Sequence, residues 1–160
     1  MNAATRKLCL IVSLALATTA AHAQEAPTQA PASEPTAAAA APSSLVGTPA
    51  EGKGQVVFFR PSKFMGAAIG FIVREGQTEL GKLRSGNYFV AAVEPGTHEY
   101  TVHSEAKDVL TLEVEAGETY YVQGSISMGV MAGRPNLSPS DQAAFEAIAS
   151  KLKPSKPLDN

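Results

Sequence analysis

Hydrophobic and polar residues alternate in a series of short runs between residues 54 and 126. This period of two, with breaks made of Gly, Pro, Ser, Asp and Glu, is typical of half-buried β-strands joined by tight turns. The first run, residues 55–60 (QVVFFR), is apolar on both faces and predicts an interior strand that ends before Pro61. The whole pattern predicts a mainly β fold, an antiparallel β-sandwich of about seven short strands with one C-terminal α-helix.

The face on which each side chain lies follows from its parity along the strand. Residues 68–74 (AIGFIVR) place Ile69, Phe71 and Val73 on one face. Three further apolar rows are predicted to face the core: Tyr100 with Val102, Leu110 with Leu112 and Val114, and Tyr120 with Val122 and Ile126. Glu113 and Glu115 fall on the opposite face of their strand, where we expect a solvated acidic rim.

One amphipathic helix is predicted after residues 127–136 (SMGVMAGRPN), where the strand period ends. Ser138 suits the N-cap, Pro139 the first helical position and Asp141 the third. An apolar stripe with the spacing i, i+3, i+4 and i+7 would cover one surface of a sheet, and it consists of Phe145, Ile148, Ala149 and Leu152. Pro154 ends the helix.

Residues 1–23 have the three parts of a secretory signal peptide. Arg6 and Lys7 precede an apolar run at residues 8–16 (LCLIVSLAL), and residues 21–23 (AHA) have the small-x-small pattern that predicts cleavage between Ala23 and Gln24. The apolar run has about half of the ~20 residues that a membrane-spanning helix needs, which favours a cleaved signal over an uncleaved anchor. We therefore expect a periplasmic or secreted protein with no integral membrane span after cleavage.

The single cysteine and the charge balance narrow the class of protein further. Cys9 lies inside the apolar run and does not fit the acylation site (lipobox) of a lipoprotein, and its removal with the signal leaves no cysteine for a disulfide. The formal net charge of -2 becomes about -4 once Arg6 and Lys7 are removed, because both are basic. A mildly acidic chain gives no reason to expect nucleic-acid binding.

The composition divides the chain into four parts. Residues 1–23 are the signal peptide, and residues 24–50, rich in Ala and Pro, are predicted to be a disordered linker, either a solvated tail or a tether to a partner. Residues 51–153 are the folded domain with its C-terminal helix, in which order should begin near Gly54. Residues 154–160 are a disordered tail.

Five short motifs of the domain carry a resemblance to a known family. They are residues 57–62 (VFFRPS), 76–83 (GQTELGKL), 86–89 (GNYF), 95–98 (PGTH) and 116–121 (AGETYY). In this order they resemble the DUF2846 family of bacterial envelope proteins, which often have export signals. The hairpin around residues 95–98 is also similar to the repeat of PEGA-type domains, small surface-associated β-sandwiches. The resemblance implies a fold and a compartment, and no functional residue is carried over with it.

The chain has few residues suited to catalysis or metal binding. His98 and His103, five apart on one strand, have opposite parity and cannot chelate one metal together. We expect His98 to be structural, packing near the turn at residues 95–96 or bonding its carbonyls. We predict no catalytic residue, no cofactor and no metal ligand; the alternative is a periplasmic hydrolase that uses His98 with a serine or glutamate brought near by folding.

A glycine-rich loop after the last predicted strand carries the most unusual surface residues. The possible binding loop consists of Met128, Val130, Met131 and Arg134, because methionines suit adaptable contact surfaces and loops on rigid sandwiches commonly bind partners. The sequence therefore predicts an exported, non-enzymatic binding or structural module of the bacterial cell envelope. Its partner would be an envelope protein, a glycan or a lipid. A further alternative is an accessory subunit of an envelope complex.

Overall fold

The computed structural model describes residues 45–104, 107–129, 133–156 and 158. The predicted signal peptide, most of the linker and the end of the predicted tail lie outside the described residues. In chain order the elements are β1 (Gly54–Arg60), β2 (Phe71–Glu75), β3 (Thr78–Leu83), β4 (Asn87–Val93), β5 (Gly96–His103), β6 (Lys107–Val114), β7 (Thr119–Met128), β8 (Gly133–Ser140), α1 (Gln142–Ala149) and β9 (Lys153–Pro154).

Strand β1 is the centre of the fold, and it begins at Gly54, one residue before the run at residues 55–60 that predicted it. All seven of its residues are buried. Val56 and Phe58 belong to one core cluster, whereas Val57 and Phe59, on the other face, belong to a second. The strand thus lies between two apolar layers, which explains why its sequence is apolar at both parities.

Two sheets make the predicted sandwich. A five-stranded sheet has the order β8-β7-β1-β4-β9, and a four-stranded sheet has the order β3-β2-β5-β6. The four-stranded sheet pairs only antiparallel strands. The core cluster between the sheets contains the predicted pairs Tyr100 with Val102, Leu112 with Val114 and Tyr120 with Val122. The mainly β class and the sandwich arrangement are confirmed, with nine strands among the described residues where about seven were predicted.

Two pairings are parallel, which the strictly antiparallel prediction did not include. β1 pairs with β7 in parallel, and β4 pairs with the two residues of β9 in parallel. Parallel neighbours need a long crossover connection, usually a helix. Between β1 and β7 that crossover is made by the four-stranded sheet together with β4, so no helix is needed.

The C-terminal helix begins later than predicted. Ser138 and Pro139 belong to β8, and Asp141 is the N-cap, where its Oδ1 accepts a hydrogen bond of 2.7 Å from the backbone N–H of Ala144. The prolines of β8 concealed this strand, but an edge strand tolerates proline because one of its sides is not hydrogen-bonded. The predicted stripe does cover the outer face of the five-stranded sheet: Phe145 is fully buried, in ring contact with Phe59 at 5.4 Å between centroids.

Candidate binding surface

A buried arginine closes one end of the sandwich. Arg60, the last residue of β1, is only 3% exposed, and its guanidinium lies 5.7 Å from the ring centroid of Phe71. Its Nη1 donates to the carbonyl of Ile69 at 2.6 Å, and its Nη2 donates to the carbonyl of Gly66 at 2.8 Å. Burial lowers the pKa of Arg60 from its ordinary value. The arginine therefore ties two points of the following loop to the core.

The loop at residues 61–70 is itself built from two tight turns. The N–H of Ala67 donates to the carbonyl of Phe64 at 3.2 Å, and the N–H of Ile69 donates to that of Gly66 at 3.1 Å. Gly66 has a φ of +73°, a conformation that residues with a Cβ rarely adopt. With its backbone held in this way, the loop leaves Phe64 100% exposed and Met65 65% exposed.

The paired ends of β7 and β8 lie beside this loop. Gly133, the first residue of β8, approaches it so closely that a Cβ would lie 2.9 Å from Cδ1 of Ile69 and 2.6 Å from Cγ2 of Ile126. Met128 pairs with Gly133 across the hairpin and is 76% exposed. We call the exposed apolar side chains of these two adjacent segments the apolar end, defined as Phe64, Met65, Ile69 and Met128.

Of the four residues of the binding loop predicted from the sequence, Met128 belongs to the apolar end. Met128 is the last residue of β7, and Arg134 is an exposed residue of β8 whose carbonyl accepts a hydrogen bond from the hydroxyl of Ser127. Val130 and Met131 lie outside the described residues. The binding role of these four residues stays a prediction.

The sequence reading missed the residues of the other loop. Ile69 was assigned to a strand, but β2 begins at Phe71, and Ile69 is 38% exposed in the loop before it. Phe64 and Met65 were not among the residues predicted to bind a partner. Two large apolar residues between Lys63 and Gly66, in a segment too short to bury them, were the signal available in the sequence.

His98 is held by bonds to two turns. Its Nδ1 lies 2.5 Å from Oε1 of Glu75 at the end of β2, and its Nε2 lies 2.7 Å from the carbonyl oxygen of Glu94. The ring stacks on Tyr100 with the planes 7° apart. Bonding of a turn carbonyl is the structural role predicted for this residue.

The charge state of His98 follows from these partners. Burial lowers the pKa of His98. The hydrogen bonds to Glu75 and to the carbonyl of Glu94 raise it, as do the negative charges of Glu75 and Glu113. The net result is a pKa above the ordinary value. Folding does bring a glutamate to this histidine. However, both ring nitrogens are already engaged, so neither is placed to take a proton from a nucleophile.

The described part of the chain offers neither a metal cluster nor a membrane helix. No group of three or more His, Cys, Asp and Glu residues there is arranged to hold a metal ion. Glu113 and Glu115 are exposed, as the predicted acidic rim requires. None of the described helices is long and apolar enough to cross a bilayer.

Comparison with known proteins places the domain in a family. The model of the family described as Protein of unknown function (DUF2846) matches residues 50–135, which is more than half of the chain. No curated protein and no solved structure matches the chain. The matched range runs from just before β1 into β8 and therefore includes Arg60 and both segments of the apolar end. The chain thus belongs to the DUF2846 family.

Proposed function

We propose that this protein is an exported, non-enzymatic binding module of the bacterial cell envelope, and that the apolar end attaches it to an anionic lipid surface. The observation that carries the proposal is the complete exposure of Phe64 on a loop whose base Arg60 fixes to the core. A Phe of a small sandwich is normally buried, and an exposed apolar cluster marks an interaction site. A loop that is already ordered also loses less conformational entropy when it binds.

The surroundings of the apolar end favour a lipid partner over a protein groove. Lys63 precedes Phe64 directly, and Arg134 follows Gly133 on the neighbouring segment; both are exposed residues of a chain that is acidic overall. Apolar side chains next to cations match the interface of an anionic bilayer, where the apolar groups enter the acyl boundary and the cations meet the headgroups.

The sequence supports the compartment in this proposal. The signal at residues 1–23 would direct export. Recovery of the protein from the cytosol with residues 1–23 still attached would refute the export part of the proposal.

Co-sedimentation with vesicles tests the lipid contact. The wild-type protein should bind phosphatidylglycerol vesicles and bind phosphatidylcholine vesicles less. A triple substitution of Phe64, Met65 and Met128 by Ser should weaken binding at least about tenfold, because each side chain contributes on the order of 1 kcal/mol on partial insertion. The matched control replaces Leu45 and Val109, which are 55% and 44% exposed elsewhere on the domain, by Ser. Undiminished binding of the triple variant would refute the proposal.

In-cell crosslinking distinguishes the proposed lipid contact from the alternative that the protein is an accessory subunit of an envelope complex. A photoreactive residue at position 64 should label lipid when the cells are irradiated. If it instead captures one protein at fixed stoichiometry, and purified wild-type protein ignores vesicles, the apolar end is a subunit interface and the lipid proposal is wrong.

A further inference from the structure

A groove of about 700 Å³ opens between an edge strand of each sheet. One wall is the end of β3 and the turn into β4, and the other is β9 with residues 155, 156 and 158. A volume of this size lies within the ~300–1,000 Å³ that small-molecule sites in proteins occupy. The groove does not include the side chains of the apolar end.

The groove concentrates positive charge on an acidic protein. Lys82 and Arg84 line one wall, and Lys153 and Lys156 line the other. These are four of the eleven Lys and Arg residues that follow residue 23. Within the described ranges none of the four forms a salt bridge, and the one carboxylate that lines the groove, Glu79, is paired with Arg74.

Backbone and side-chain hydrogen bonds hold the two walls together. The N–H of Lys153 donates to the carbonyl of Gly86 at 3.0 Å, and the N–H of Ser155 donates to that of Tyr88 at 2.7 Å. The hydroxyl of Ser155 also donates to the carbonyl of Lys82 at 2.7 Å, which joins the C-terminal segment to β3. The four cations are thus brought together by the fold itself, not only by flexible side chains.

Like charges held around one groove repel each other, and an anion bound between them relieves this repulsion. Arg84 can form two parallel hydrogen bonds to an oxyanion, and the lysines add point charges from both walls. A phosphate group, with up to two negative charges and several acceptor oxygens, satisfies this set better than one carboxylate does. We propose that this groove is a binding site for the phosphate group of a small ligand, either free in solution or as a lipid headgroup.

Titration of the full-length ¹⁵N-labelled protein with sodium pyrophosphate tests the site. Saturable shifts should appear at the amides of Gly86 and Ser155. Replacement of Lys82 and Lys153 together by Gln should weaken binding at least about tenfold, since two charge-assisted contacts are lost. The matched control replaces Lys53 and Lys107 by Gln, which changes the net charge equally outside the groove, and should change the affinity less than about twofold.

Each outcome bears on the assignment. Equal weakening by the two double variants would show general charge attraction and overturn the site, as would the absence of saturable binding. Equal affinity for citrate would overturn the assignment to phosphate. If Lys82→Gln disturbs the fold, Lys156→Gln, in the terminal segment, provides the second variant.

The source of the phosphate is resolved by a parallel titration with phosphatidic acid in phosphatidylcholine vesicles. Binding of pyrophosphate alone supports a free ligand, and tighter binding of phosphatidic acid supports a headgroup. The site is independent of the proposed attachment by the apolar end, because the triple variant at that end should bind pyrophosphate with unchanged affinity. The two proposals can therefore fail separately.

Discussion

Replacement of Arg60 by Met should disorder the loop at residues 61–70 without unfolding the sandwich. The two hydrogen bonds that Arg60 donates are of the charged type, worth about 1.5–3 kcal/mol each, and its contact with Phe71 adds about 0.5–1 kcal/mol. Met removes these contacts, but it also removes the free-energy cost of burying a charged guanidinium, the same burial that lowers the pKa of Arg60. Water can reach the carbonyl of the partly exposed Ile69. We therefore expect a net loss of about 1–3 kcal/mol in the free energy of unfolding.

Hydrogen exchange distinguishes loop disorder from general destabilisation. The amides of Ala67 and Ile69, which close the two turns of the loop, should exchange at least about tenfold faster in Arg60→Met. Amides within β5 should exchange faster only to the extent that the free energy of global unfolding falls. Vesicle binding should weaken as well, because the loop must then be ordered on binding. The control is Arg74→Met, which removes an exposed ion pair with Glu79 and should cost no more than about 1 kcal/mol. Unchanged exchange at positions 67 and 69 would refute the role given to Arg60.

Three further predictions concern single side chains or pairs of them. The hydroxyl of Tyr100 is buried with no hydrogen-bond partner among the described residues, and burial, with the charge of Glu75, raises its pKa. Tyr100→Phe should therefore stabilise the protein by about 1 kcal/mol in urea denaturation. Tyr120→Phe, which removes a hydrogen bond from a backbone N–H, should instead destabilise the protein by about 1 kcal/mol. Because folding raises the pKa of His98, its contribution to stability is complete below its unfolded pKa of about 6.5 and is lost as the pH rises through the folded pKa. Stability curves of wild type and His98→Gln should thus converge above that range, and a constant difference would contradict the assignment. If a lipid phosphate occupies the groove while the apolar end is inserted, the free-energy losses from Phe64→Ser and Lys82→Gln should add in phosphatidic acid binding, and a loss in the double variant larger than their sum would show that the two contacts are alternatives.

Parity along the strands predicted a large part of the core between the sheets, although it misplaced Ile69. Tyr100, Val102, Leu112 and Val114 are all buried because the period of two leaves each strand only one face for the partner sheet. The same reasoning identified β1 as an interior strand. These predictions succeed because they depend on local pattern alone, and because turn-forming residues bound each of these strands in the sequence.

The errors arose where long-range pairing overrides local pattern. Pro135 and Pro139 removed the strand signal from β8, although both lie opposite β7 on an edge of the five-stranded sheet, where the fold tolerates them. The parallel pairing of β1 with β7 joins segments about sixty residues apart and leaves no local signature. The helix has its N-cap at Asp141 instead of Ser138 for the same reason, because the residues before Asp141 belong to a strand.

The candidate site could be predicted only in part, since it depends on contacts between distant segments. Met128 was predicted from its residue type and its glycine-rich surroundings. Phe64 and Met65 become its neighbours only because Gly133 lies close to Ile69 in the fold. Arg60 was visible as a cation at the end of an apolar strand. Its parity, shared with Val56 and Phe58, already placed it on the face toward the other sheet, where a buried guanidinium needs acceptors.

Two hydrogen bonds join the groove to the loop that carries Phe64. The hydroxyl of Ser85, in the turn that lines the groove, accepts a hydrogen bond of 3.0 Å from the N–H of Lys63 and donates one of 3.1 Å to the carbonyl of Lys63. Lys63 begins the loop that carries Phe64. The backbone of that loop is therefore held at one end by Ser85 and further along by Arg60. Because neither surface contributes its exposed side chains to the core, both can change in sequence without loss of the fold, and the stability of the sandwich rests on β1 and its two apolar layers.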